Sequence, residues 1–191
     1  MDIFENKKDM FRFLDGLVFF NNTETNHRKM CHTALDNRRN QTGLTCLVTI
    51  HAYCLLPNHY HLLISCEEPR QLSSFMKKLA NGYTGYYHEQ YPDHSGTIFQ
   101  GTYKKVLIES DAQLWQVLAY VNGNHMVHGI DNHKTCSSIH EYFEPQDHVL
   151  NSTALVINNF KDHSQWTYYC TSKNMDTQRK RREEKMKHLI E

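Results

Sequence analysis

His59 and His61 stand one residue apart, directly after the pair Pro57-Asn58. Two neutral imidazoles at that spacing on a strand share a face, where their outer nitrogens can bind one divalent cation. Spacing alone is a weak signal. With 14 histidines in 191 residues, chance supplies roughly one such pair, and two half-buried histidines bonded to backbone are the commoner outcome. Further along, Tyr120 is followed four residues later by Asn124. On a helix, positions i and i+4 lie on one face, so a phenol and a carboxamide could address one point; Asn122 would point away. One tyrosine among eleven is ordinarily a packing residue.

The elements that must position these groups follow from hydrophobic period. Residues 9–20 put Phe13, Leu14, Leu17 and Val18 on one helical face, with Asp9 as N-cap. A second amphipathic segment is expected over 28–40. The run 44–56 is β-branched and apolar and reads as a buried strand; Pro57-Asn58 is turn chemistry, and 59–65 reads as the returning strand of a hairpin. On it His59, His61 and Leu63 face one way, Tyr60, Leu62 and Ile64 the other. Residues 70–91 carry a helical stripe of Leu72, Phe75, Met76, Leu79 and Tyr83 that continues to Tyr86 or Tyr87. A third strand is expected over 97–109, kinked at Gly101. Asp111 then caps a helix packed through Leu114, Val117, Leu118 and Val121, and a charged helix runs from about 176. The order implies an α+β fold, an antiparallel sheet with helices packed on it.

Composition sets outer bounds. A chain of 191 residues suits one compact domain. The N-terminus lacks the apolar core and cleavage site of a signal peptide, and no stretch approaches the roughly 18 apolar residues of a membrane span, so a cytoplasmic protein without membrane contact is expected. The six cysteines are scattered without a C-x-x-C pair, which points to buried free thiols and away from a cysteine zinc site. Formal net charge is zero, but residues 173–191 are basic and leave the body about three charges negative. Arg179, Arg181 and Arg182, within the run Arg179–Arg182, are candidate phosphate contacts, or else a solvated helix end. On the body, Lys77, Lys78, Lys104 and Lys105 are candidates for a DNA groove.

The segment LLPNHYHLLI (55–64) resembles the signature strand of the HUH nucleases, named for a histidine–hydrophobic–histidine motif. FQGTYKKVLI (99–108) and LAYVNGNHMVHGI (118–130) are similar to the matching blocks of one branch, the single-tyrosine transposases of the insertion-sequence 200-like family. The repeat-associated tyrosine transposases are the nearest in pattern. The resemblance runs from about residue 3 to 143, and three blocks in the right order are far more specific than any one. It implies a ferredoxin-like sheet, a transposase domain over 1–145, and a C-terminal extension with a basic helical tail over 146–191. It further implies that Tyr120 attacks a phosphodiester of single-stranded, hairpin-bearing DNA to give a 5′-phosphotyrosine link and a free 3′-OH. Magnesium or manganese would be held by His59, His61 and the side-chain oxygen of Asn124. Tyr103, Lys104 and Lys105 would line the DNA path, with Tyr86 and Tyr87 as further stacking candidates if exposed. The C-terminal extension favours a monomer over a homodimer.

The pattern departs from the family at three places. Relatives carry a first strand of the kind Y-H-V-x-x-R that is missing here; its loss would leave a sheet edge unpaired, so a misassigned start is expected ahead of a degraded copy or of another segment filling the gap. Tyr60 replaces the usual aliphatic residue between the histidines. The segment after Tyr120 reads VNGNHMVHG, where relatives tend to carry a proline after the asparagine; Gly123 is expected to weaken the helix by about 1 kcal/mol and to loosen Asn124, letting His125 compete as a ligand. Two other function classes follow: a decayed or domesticated relative that binds hairpin DNA without cutting it, and a zinc-dependent regulator, which the ligand spacing supports least.

Overall fold

The computed structural model describes residues 2–23, 45–143, 149–150 and 152–187, the side chains of Asn132 and of residues 182–187 excepted. The amphipathic segment expected over 28–40 lies outside them. Contacts divide the chain into two compact units.

The first unit takes Met1–Thr49 and Ile64–Val106 and is built on two helices, α1 (Lys7–Phe19) and α2 (Pro69–Gln90). Helix α1 is capped three residues earlier than expected: Asn6 is the N-cap and Asp9 the third helical residue, the two closing a reciprocal capping box. The expectation that Asp9 itself caps was therefore off by one half of that box. Phe13, Leu14 and Leu17 are buried as expected, and from α2 so are Phe75, Met76, Leu79, Tyr83 and Tyr87. Phe4, Phe13 and Tyr83 meet edge to face with centroids 5.3–5.5 Å apart, the arrangement aromatic quadrupoles prefer.

Residues 97–109 form no strand. Their β-branched composition is right, but β propensity is realised only against a partner that completes the ladder. Here Val106 and Leu107 are 83% and 77% exposed.

The second unit takes Ile50–Leu63 and Leu107–Glu191. Strands β1 (Thr49–Leu56) and β2 (His59–Ser65) form the expected hairpin across Pro57-Asn58, and a short β3 (Cys136–Ser137) adds on the other side, giving the order β2-β1-β3. Strand β3 is antiparallel to β1, with Cys54 opposite Ser137 and Leu55 opposite Cys136. The fold class is thus α+β with an antiparallel sheet, as the order of elements implied. Strand β1 is central and nearly wholly buried, which accounts for its continuous apolar run.

Helices α3 (Asp111–Asn122), α4 (Asn124–His128), α5 (Ala154–Ile157) and α6 (His163–Lys187) complete this unit. Ser110, not Asp111, caps α3: its side chain accepts from Gln113 N. Helix α6 starts well before residue 176. Asp162 accepts from Gln165 N at 2.9 Å, and Trp166, Cys170 and Asn174, four residues apart, are buried against the unit. None of the described cysteines is in a disulfide; Cys54 and Cys170 are buried whereas Cys46 and Cys66 are exposed, so the expectation of buried thiols holds only in part. Among the described residues no helix is long and apolar enough to cross a membrane.

Candidate active site

Strand β2 presents His59 and His61 side by side, ring centroids 5.1 Å apart and nearly perpendicular. The turn that starts the strand also orients the first ring, for His59 Nδ1 lies 2.7 Å from Asn58 Oδ1. A carboxamide oxygen only accepts, so Nδ1 carries the proton and Nε2 turns its lone pair outward. Asn58 thereby fixes the tautomer a metal-binding histidine needs.

Helices α3 and α4 supply the facing groups. The Tyr120 ring lies 5.6 Å from that of His61, and His128 lies 5.7 Å from His59. Tyr120, Asn124 and His128 recur every four residues, a single helical stripe that continues one step past the pair singled out by sequence. Gly123 ends α3, yet its N–H still donates to Ala119 O at 3.0 Å, so the helical path carries on into α4. Asn124 itself is fully buried. Gly123 is required for a different reason. A Cβ there would lie 2.4 Å from Asn174 Nδ2, and that amide donates to Ala119 O at 2.8 Å and packs α6 onto the α3–α4 junction.

Two asparagines separated by one residue have opposite circumstances. Asn122 is saturated: Nδ2 donates to Leu118 O at 2.9 Å and to Tyr142 Oη at 3.1 Å, and Oδ1 accepts from Ser138 Oγ at 2.8 Å. Asn124 is as deeply buried, but neither its Nδ2 nor its Oδ1 has a hydrogen-bond partner; His61 Nε2 is buried without one as well. Each such atom costs about 1–3 kcal/mol while nothing meets it, a cost that a bound ligand would remove. Two imidazoles and a carboxamide oxygen are donors suited to a divalent ion. Among the described residues no group of three or more His, Cys, Asp and Glu side chains is arranged to hold a metal.

The imidazoles are held neutral. Burial pushes His61 down from 6.5 to about 4, aided by the neighbouring His59, His128 and Arg181. Burial likewise lowers His59, with a contribution from His128, and lowers His128, with one from Arg181. Neutral rings are the form that binds metal. His125 is lowered too, by burial and then by His140, and its buried Nδ1 likewise has no hydrogen-bond partner.

The C-terminal helix reaches the tyrosine. Arg181 donates from Nη2 to Tyr120 Oη at 3.2 Å, and its guanidinium carbon lies 5.5 Å from the Tyr120 ring centroid. Of the three arginines singled out in the basic run, Arg181 is at the site, Arg179 is exposed on α6, and the side chain of Arg182 lies outside the described residues. Tyr103, Lys104 and Lys105 belong to the first unit. Both lysines are exposed, and the Tyr103 hydroxyl sits 3.4 Å from Ser73 Oγ. Sequence reasoning missed His128, which the four-residue stripe could have revealed. It also missed the contact of Arg181 with Tyr120, across 61 residues, which no local signal announces.

The family model described as "Transposase IS200 like" matches residues 18–124, over half of the chain. It spans the hairpin, Tyr120 and Asn124. No curated protein and no solved structure matches the chain.

Proposed function

The chain belongs to the IS200-like transposase family, and on that premise we propose that it cuts and rejoins single-stranded DNA through a covalent bond to Tyr120. The Tyr120 oxygen attacks phosphorus; the new O–P bond forms as the bond to the preceding 3′ oxygen breaks, and that oxygen leaves as a 3′-OH after gaining a proton. The 5′-phosphotyrosine keeps the energy of the phosphodiester, so a second 3′-OH can displace the phenolate and join strands without ATP. A phenolate leaves more readily than an alkoxide, which suits tyrosine to both directions.

His59, His61 and Asn124 would hold magnesium or manganese, the donor set their neutral rings and unpartnered amide supply. When bound, the ion polarises the scissile phosphate as a Lewis acid. Asn58 fixes the His59 ring, and Arg181 meets the Tyr120 oxygen with charge of the sign that the phosphate requires. The observation that carries the reading is the placement of Tyr120 beside His61, one helical turn before a buried carboxamide with no partner.

The test is incubation of the full chain with end-labelled hairpin DNA cut from the flanks of its own gene, in manganese, followed by a denaturing gel. A slow-migrating covalent species that disappears with chelator and in Tyr120→Phe is the expected result. DNA bound without any covalent species would replace this reading with that of a hairpin-binding relative that does not cut.

A further inference from the structure

Between α3 and α6 runs a groove of about 340 Å³. Contacts along the two helices advance in step, from Trp115 with Tyr169, through Ala119 with Asn174, to Tyr120 with Arg181. Ala112 and Gln116 line the groove from α3, and the next residue of that four-residue stripe is Tyr120. On the α6 side the lining runs from Tyr169 and Lys173 to Lys180 and Arg181, so both walls converge on the Tyr120 hydroxyl. Three cations face the groove against the single carboxylate of Asp176. Lys173 is steadied by the Tyr169 ring, 5.6 Å from its Nζ. Lys173 and Lys180 are two turns apart, about 10 Å along the axis, and so can address separate phosphates.

We propose that this groove is a track for the single-stranded DNA flanking the cut phosphate, in which Lys173 and Lys180 neutralise backbone charge and Arg181 delivers the strand to Tyr120. The proposal rests on the reading of Tyr120 as nucleophile, but backbone binding can be read without any cutting. The α6 segment is thereby part of the substrate site, not a detached basic tail. Its contacts are to phosphate, so they act on any sequence.

The experiment measures fluorescence anisotropy of labelled oligothymidylate with the full chain, in chelator, over a range of salt. Lys173→Glu/Lys180→Glu, both changes at exposed positions, should weaken binding at least tenfold. Lys173→Gln/Lys180→Gln, which removes charge without reversing it, should lower the salt slope by about 1.4, the share of two phosphates on a single strand. Lys104→Glu/Lys105→Glu in the first unit serves as the comparison. Binding and slope unchanged in the groove variants, or lost only in the Lys104/Lys105 variant, would overturn the proposal, as would failure of the parent chain to bind oligothymidylate. A groove effect without any covalent adduct on hairpin DNA would instead sustain the track and remove the nucleophile.

Discussion

Two polar clusters, one in each unit, are satisfied to different degrees. In the first, Asp9 is wholly buried, and its carboxylate accepts from the hydroxyls of Tyr86 and Tyr91 at 2.8 Å and from the N–H groups of Glu5 and Asn6. Tyr83 donates to Ile3 O and Tyr87 to Glu5. Burial, with these carboxylates, pushes the Tyr87 and Tyr91 phenols up to about 12, fixing them as donors. In the second unit, Tyr120 meets a cation, and the buried amide one turn on has no hydrogen-bond partner. A saturated cluster spends its polar groups on stability. An unsaturated one keeps them available, which is what a ligand site requires.

Tyr120→Phe should sharpen this contrast most. It abolishes the covalent adduct and leaves the melting temperature unchanged, because the lost hydrogen bond is exposed. Tyr86→Phe does the reverse: it strips a donor from a buried carboxylate and costs about 2 kcal/mol, readable by urea denaturation, while the adduct still forms.

The asparagines permit the same test within three residues. Asn124→Ala should lower metal-dependent cleavage by at least about a hundredfold, more than outer-sphere losses at metal sites, with stability unchanged or raised. Asn122→Ala breaks three hydrogen bonds and should cost about 2–3 kcal/mol. Equal destabilisation by both would break the comparison.

Much of this was legible in sequence, and the reasons differ by element. Helices α1 and α2 and the β1–β2 hairpin rest on apolar period and turn chemistry, which are local. The start of α6 was hidden because its buried stripe of Trp166, Cys170 and Asn174 contains a polar member, although Asp162 and Gln165 offer a capping signal. Residues 97–109 have strand composition, but pairing is a tertiary property. At the site, the histidines and the Tyr120–Asn124 pair emerge from spacing plus family pattern. Arg181 could not, because only the packing of α6 on α3 brings it to the tyrosine.

Gly123→Ala probes that packing. The new Cβ would collide with Asn174 Nδ2, so a loss of about 1–3 kcal/mol is expected, with adduct yield falling as α6 and Arg181 shift.

The smallest effect is on acid stability. His61 folds with a value near 4 against an ordinary 6.5. Between those values the unfolded chain takes up a proton that the folded chain refuses. In chelator, its contribution to stability is therefore complete above pH 6.5 and is lost as pH falls towards 4. His61→Gln should flatten that slope in urea midpoints measured across the range.

The most direct test is to digest the covalent DNA adduct and locate the modified peptide by mass spectrometry. The account predicts a nucleotide remnant on Tyr120 through a phosphate ester. A remnant on any other residue, such as Tyr103, would contradict it.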